Sequence, residues 1–170
     1  MKKVLVIGCS GSGKSTFSRK LGEQTQIPVV HLDSLYWNPG WVETNQEEWN
    51  RIIADLIHQD KYIMDGNYAR TLDLRLNEAD TVFYFDFSRY LCLYRVIKRR
   101  IQNHGRTRVD MAQDCQEKID FEFLSWIWNF NKNNKPKIVE SLEKVKGRKQ
   151  VYIFKSPRDM RKYMSSTYKL

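Results

Sequence analysis

Gly8-Cys9-Ser10-Gly11-Ser12-Gly13-Lys14-Ser15 fits the spacing G-x-x-x-x-G-K-[ST] at every position. Each residue type in it has a task in holding a nucleoside triphosphate. Glycines let the chain wrap without side-chain clashes, so consecutive backbone N–H groups converge on phosphate oxygens. A helix starting behind the loop adds its unpaired N-terminal N–H groups and its dipole. Lys14 is placed to reach the β- and γ-phosphates, the Ser15 hydroxyl to ligate Mg2+, and Thr16 to touch the α-phosphate. Gly8, Ser10, Gly11, Ser12, Gly13, Lys14, Ser15 and Thr16 are therefore the candidate cofactor-binding residues, and ATP with Mg2+ is the expected cofactor. A dinucleotide loop would need a third glycine where Thr16 stands. The protein-kinase strings H-R-D and D-F-G do not occur.

Chemistry on a triphosphate needs carboxylates and cations around it. Asp33, Asp65 and Asp86 each close an apolar run of strand character, and the carboxyl ends of parallel strands line the crevice where open α/β sheets bind ligands. One such aspartate would assist magnesium, with Asp65 and Asp86 both candidates, and another would orient an acceptor hydroxyl or phosphate. An ordinary helix cap is the competing role for each. Arg95, Lys98, Arg99, Arg100, Arg106 and Arg108 form a cationic run with no acid before Asp110. Such arginines stabilise a transferring phosphoryl group when a lid closes, although a solvated basic face is the commoner fate of such runs. Lys14, Asp33, Asp65, Arg99, Arg106 and Arg108 make up the catalytic candidates. Tyr36, Trp37, Trp41 and Tyr68 lie beside strand ends, suited either to stacking on a base or to local packing. His31 reads as structural, and Cys9 as a thiol liability inside the phosphate loop.

These residues need a frame to hold them. Apolar runs at 4–7, 27–32, 62–64, 81–85 and 151–154 read as strands. Helical spacing covers 14–23, 46–58, 89–103, 118–130 and 136–146, with a last helix from 157. Alternating strands and helices indicate right-handed crossovers and a parallel sheet covered on both faces. A length of 170 residues suits one domain, with the polar segment 104–117 as its lid. The apolar residues of 121–130 read as core or as a dimer surface, so monomer and homodimer are both open.

The bulk properties narrow the class further. The first apolar run leads straight into glycines, which reads as a strand rather than a leader, and no apolar stretch approaches the length of a membrane span. Three cysteines without disulfide or metal spacing point to a reducing compartment, the cytoplasm. Of the net charge of +9, residues 144–170 contribute +8. A basic surface suits nucleotide phosphates or a nucleic-acid backbone, yet no helix-turn-helix or zinc-finger pattern accompanies it.

The opening KKVLVIGCSGSGKST, the strand IPVVHLD, the DGNYAR after the third strand and the segment VFYFDFSRYLCLYRVIKRR resemble the adenylate-kinase-like P-loop family. They resemble more closely its bacterial branch labelled DNA topology modulation proteins (FlaR-like), over essentially the whole chain. The resemblance implies a P-loop three-layer sandwich, with a five-stranded parallel sheet of order 2-3-1-4-5, helices on both faces and an arginine-bearing lid. It implies that Asp65-Gly66 matches the family's D-G-F-P-R element, whose aspartate helps hold magnesium and whose arginine grips the acceptor phosphate. Ser15 and Asp65 are then the metal candidates. Asp33 matches the position where shikimate- and gluconate-type kinases of the superfamily hold an acceptor hydroxyl. Together with the aromatics, this gives Asp33, Trp37, Gly66, Tyr68 and Arg70 as the substrate-binding set. The chain departs from the pattern at DGNYAR, one residue longer before Arg70 and lacking proline. One cysteine (Cys115) and one histidine (His104) in the lid do not supply the zinc site that some adenylate kinases carry there.

The expected function is transfer of the γ-phosphoryl group of ATP–Mg2+ to a small acceptor, a nucleoside or nucleotide. Two other classes stay open: an NTP-dependent regulator that binds DNA, and an acceptor-independent ATPase.

Overall fold

Val4, Leu5, Val6 and Ile7 are all fully buried in β1 (Lys3–Gly8), as expected of a strand covered on both faces. They form the centre of a computed structural model that describes residues 1–102, 114–115 and 120–168. After β1 come α1 (Lys14–Thr25), β2 (Val29–His31), α2 (Leu32–Tyr36) and a small hairpin of β3 (Trp37–Asn38) and β4 (Val42–Glu43). Then follow α3 (Gln46–Ile57), β5 (Tyr62–Asp65), a 3-10 turn (Ala69–Thr71), α4 (Leu72–Glu78) and β6 (Thr81–Phe85). The chain ends with α5 (Arg89–Gln102), α6 (Phe121–Asn133), α7 (Lys135–Val145), β7 (Gln150–Phe154) and α8 (Pro157–Thr167).

The main sheet is parallel throughout, in the order β2-β5-β1-β6-β7. Counting only its five strands along the chain, this is the expected 2-3-1-4-5. Phe17 of α1 and Tyr163 of α8 both touch the Phe83 ring, with centroids 4.9 and 5.2 Å away, so these two helices share one face. The connections from β2 onward run back across the sheet in the opposite direction to α1. Right-handed crossovers therefore place α3, α4 and α5–α7 on the other face.

Helix starts follow local chemistry. Asn45 accepts from the Glu48 N–H at 2.9 Å ahead of α3, and Asp120 from the Phe123 N–H at 2.8 Å ahead of α6. Ser156 and Asp159 form a reciprocal capping box on α8. α1 is different. Its N-cap is Gly13, in a left-handed conformation at φ 97°, with no side-chain cap bond and no acid in the first turn. Its first N–H groups are left to face the phosphate loop.

Two local expectations need correction. The second strand ends at His31, and Leu32 and Asp33 belong to α2, so Asp33 is not a strand-end carboxylate. α4 was not anticipated, because Leu72, Leu74 and Leu76 alternate with the period of a strand. Of the aromatic run in α6, Phe130 is core beside Ile127, whereas Phe121 is 85% exposed. The lid segment 104–117 lies outside the described residues apart from Asp114 and Cys115, and with it go His104, Arg106 and Arg108. Among the described residues, no helix is long and apolar enough to cross a membrane.

Candidate active site

The phosphate loop leaves the carboxyl end of β1 under steric compulsion. A Cβ on Gly8 (φ 144°) would stand 2.7 Å from the Phe85 carbonyl oxygen, and one on Gly11 (φ 79°) 2.4 Å from that of Cys92. β6 and α5 thus press the loop from two sides, and only glycine fits. The Ser12 N–H closes the loop onto the Cys9 carbonyl at 3.2 Å. Lys14 Nζ donates to the same carbonyl at 3.1 Å, which holds the ammonium over the loop. Arg95 of α5 donates to the Ser12 carbonyl at 3.1 Å. The buried Ser12 hydroxyl has no partner among the described residues. Ser10 and Ser15 are half-buried, and Thr16 is exposed on the first turn of α1. Backbone N–H groups, Lys14 and Arg95 converge into a receptor for anionic oxygens. Beneath it, a hydrogen bond to Cys92, together with burial, pushes the Cys9 thiol far above its usual range. Cys9 is only 3% exposed, which shields the thiol that the sequence marks as a liability.

The carboxylates have separate fates. Asp65, paired in register with Val6 of β1, is 5% exposed, and its Oδ2 lies 3.0 Å from His31 Nδ1. Asp33 Oδ1 accepts from the Tyr68 hydroxyl at 2.7 Å. Burial, followed by the Asp33 charge, raises the Tyr68 phenol well above its ordinary value. Asp86 is held in an ion pair with Lys135 at 2.7 Å.

The aromatics divide in the same way. Tyr68 packs against Tyr36 and Trp49, each at 4.7 Å between centroids, while Trp37 lies on the hairpin against Trp41 at 5.4 Å. Trp49 is only 2% exposed, so the Tyr36–Trp49–Tyr68 cluster is wall and core together. Arg70 is exposed and donates to the Gln46 side chain on α3. Of the cationic run, Arg95, Lys98, Arg99 and Arg100 lie in helix α5, not in a lid. Arg95, left out of the catalytic set, touches the loop, and half-buried Arg99 follows it one turn later.

Two residues that the sequence reading missed tie these parts together. Asn67 accepts from the Gly8 N–H at 2.8 Å and donates to the Gly8 carbonyl at 2.6 Å. Arg75 is completely buried and donates to the carbonyls of Gly66 and Tyr68, both at 3.0 Å, to that of Asn67, and to Thr71 Oγ1 at 3.3 Å. Burial lowers its guanidinium to about 10. A charged residue inside the apolar alternation TLDLRL was the available signal for Arg75. Asn67 had none, since its partner is 59 residues away.

No known family model matches the chain. A shikimate kinase of Leptospira biflexa is 28% identical over 134 residues, covering 66% of this chain and 74% of that protein. The crystal structure of a shikimate kinase from Bacteroides thetaiotaomicron superposes with a TM-score of 0.56 at 12% identity, over 98% of both chains. A shikimate kinase from Acinetobacter baumannii in complex with shikimate gives a TM-score of 0.62 at 14% identity, over 98% of this chain and 90% of that one. The fold is that of a P-loop kinase. On that fold the cradle at 8–15, Asp33 and Asp65 all stand at the carboxyl end of the sheet, the usual position of a ligand crevice. Identities this low carry the architecture alone, and any chemistry has to be argued from the side chains of this chain.

Proposed function

We propose that the chain is an ATP-dependent small-molecule kinase that transfers the γ-phosphoryl group of ATP–Mg2+ to an acceptor hydroxyl. The observation that carries this reading is the convergence of the uncapped α1 N-terminus, Lys14 and Arg95 on one loop, with Asp33 bonded to Tyr68 next to Asn67, which grips that loop. The names of the relatives support the same reaction class.

The loop N–H groups and Lys14 bind and orient the β- and γ-phosphates. The Ser15 hydroxyl and the Asp65 carboxylate are hard oxygen donors that fit Mg2+, and His31 fixes the orientation of Asp65. When bound, the cation would offset charge on the phosphate oxygens. Arg95 and Arg99 on one stretch of α5 supply positive charge beside the cradle, and Arg106 and Arg108 of the lid segment would add to it on closure. Asp33 accepts the hydrogen bond of the acceptor hydroxyl, aligning its oxygen, with Tyr68 keeping the carboxylate in place. Little covalent work is asked of the protein; positioning and charge carry the rate.

A hydroxylated ring acid such as shikimate is the first acceptor to test, because the relatives carry that name. Nucleosides follow, because Tyr36, Trp37 and Tyr68 offer stacking faces. One domain with a lid over 104–117, working in the cytoplasm, belongs to the same proposal. The test is ADP release from ATP and Mg2+ with shikimate, other hydroxy acids, nucleosides and nucleoside monophosphates. Acceptor-dependent ADP that disappears in Lys14→Ala supports the kinase. ADP release indifferent to every acceptor would replace it with an acceptor-independent ATPase.

A further inference from the structure

The ladder between β1 and β5 stops in an unusual way. The Gly66 N–H still donates to the Val6 carbonyl at 3.1 Å, continuing the Val6–Asp65 register. The next parallel rung would run from the Gly8 N–H to the Gly66 carbonyl. Here the two strands part, and both groups change partner. Asn67 Oδ1 takes the Gly8 N–H and its amide nitrogen takes the Gly8 carbonyl, so one side chain replaces a strand. The freed carbonyls of Gly66, Asn67 and Tyr68 all turn to the buried Arg75. Parting the strands opens the crevice, and without these two side chains it would leave buried backbone groups unpaired.

We infer that Asn67 is a positioning residue for nucleotide binding: its amide fixes the Gly8 peptide, and with it the direction in which the phosphate loop leaves the sheet. The same turn carries Tyr68 to Asp33, so Arg75 sets the cradle and the acceptor carboxylate from one anchor. The inference rests on the nucleotide-binding half of the proposed function and needs no knowledge of the acceptor.

MgADP affinity by calorimetry tests it, alongside thermal melting of each variant. Asn67→Asp keeps the size and the acceptor but loses the donor, setting a carboxylate oxygen against the Gly8 carbonyl. Asn67→Ala loses both bonds without adding charge. Each should weaken MgADP by about tenfold or more at a temperature where the protein is folded. Asn67→Gln, with the same amide one methylene further out, should recover part of that loss. Ser141→Ala removes a buried bond to Asp73 between α7 and α4, at 2.6 Å, and should lower the melting temperature while leaving MgADP affinity unchanged. MgADP binding by Asn67→Asp or Asn67→Ala within twofold of the unaltered protein overturns the inference and leaves the kinase reading standing. Failure of the unaltered protein to bind MgADP overturns both.

Discussion

In the proposed reaction Lys14 and Asp33 stand at opposite ends of the phosphoryl transfer, and their substitutions should separate binding from chemistry. The Lys14 ammonium sits over the loop through its bond to the Cys9 carbonyl. Lys14→Ala removes the charge facing the β- and γ-phosphates, and acceptor-dependent ADP formation should fall about 100-fold or more. Asp33 accepts from the Tyr68 hydroxyl, which sets it on the proposed acceptor side of the crevice. Asp33→Asn should therefore lower kcat about 100-fold while MgADP affinity stays within about twofold. Equal losses of kcat and MgADP affinity in Asp33→Asn would remove Asp33 from the acceptor side. The sequence motif named Lys14 without help, because G-K-S is a local pattern. The bond of Asp33 to Tyr68 was not legible, since the two lie 35 residues apart.

At the scale of elements, the glycines give a direct comparison. Gly11 and Gly40 have nearly the same backbone conformation, φ 79° and 77°, but a Cβ on Gly11 meets the Cys92 carbonyl at 2.4 Å while one on Gly40 meets nothing within 4 Å. Gly40→Ala should cost only left-handed strain, about 1–2 kcal/mol. Gly11→Ala should cost more, because a backbone oxygen cannot move aside as a flexible side chain does, and it should also weaken MgADP binding. Comparable melting temperatures for the two would show that α5 does not press on the loop. α8 offers a third check: Ser156→Ala breaks its capping box, which should cost about 1 kcal/mol and lower Tm by about 2–4 °C. Most elements were readable because a strand buried on both faces is an unbroken apolar run and a helix start carries its own cap. α4 was not, because its leucine alternation imitates a strand until α7 packs on it.

The whole molecule buries several phenols, and this shapes its alkaline limit. Burial raises Tyr62 from 10.0 to about 12, and Tyr68, Tyr84 and Tyr163 are raised in the same direction by the same cause. A raised folded-state value means that the fold prefers the neutral phenol. The stability these groups contribute is fully present below about pH 10 and is lost as pH climbs through about 12. Arg75, lowered from 12.5 to about 10, pulls the other way as one group against four. The denaturant midpoint should hold to about pH 10 and fall above it; a midpoint still flat two units higher would mean that these phenols are not buried together.

By itself the sequence determined the cradle and the parallel α/β frame, because each rests on local spacing or on runs of apolar residues, while the strand order followed from the family resemblance. Only the tertiary structure decided the partners of three look-alike aspartates. His31 lies 34 residues from Asp65, Tyr68 lies 35 from Asp33, and Lys135 lies 49 from Asp86. A carboxylate is directed by the partner across from it, and that partner is chosen by how the sheet is wound.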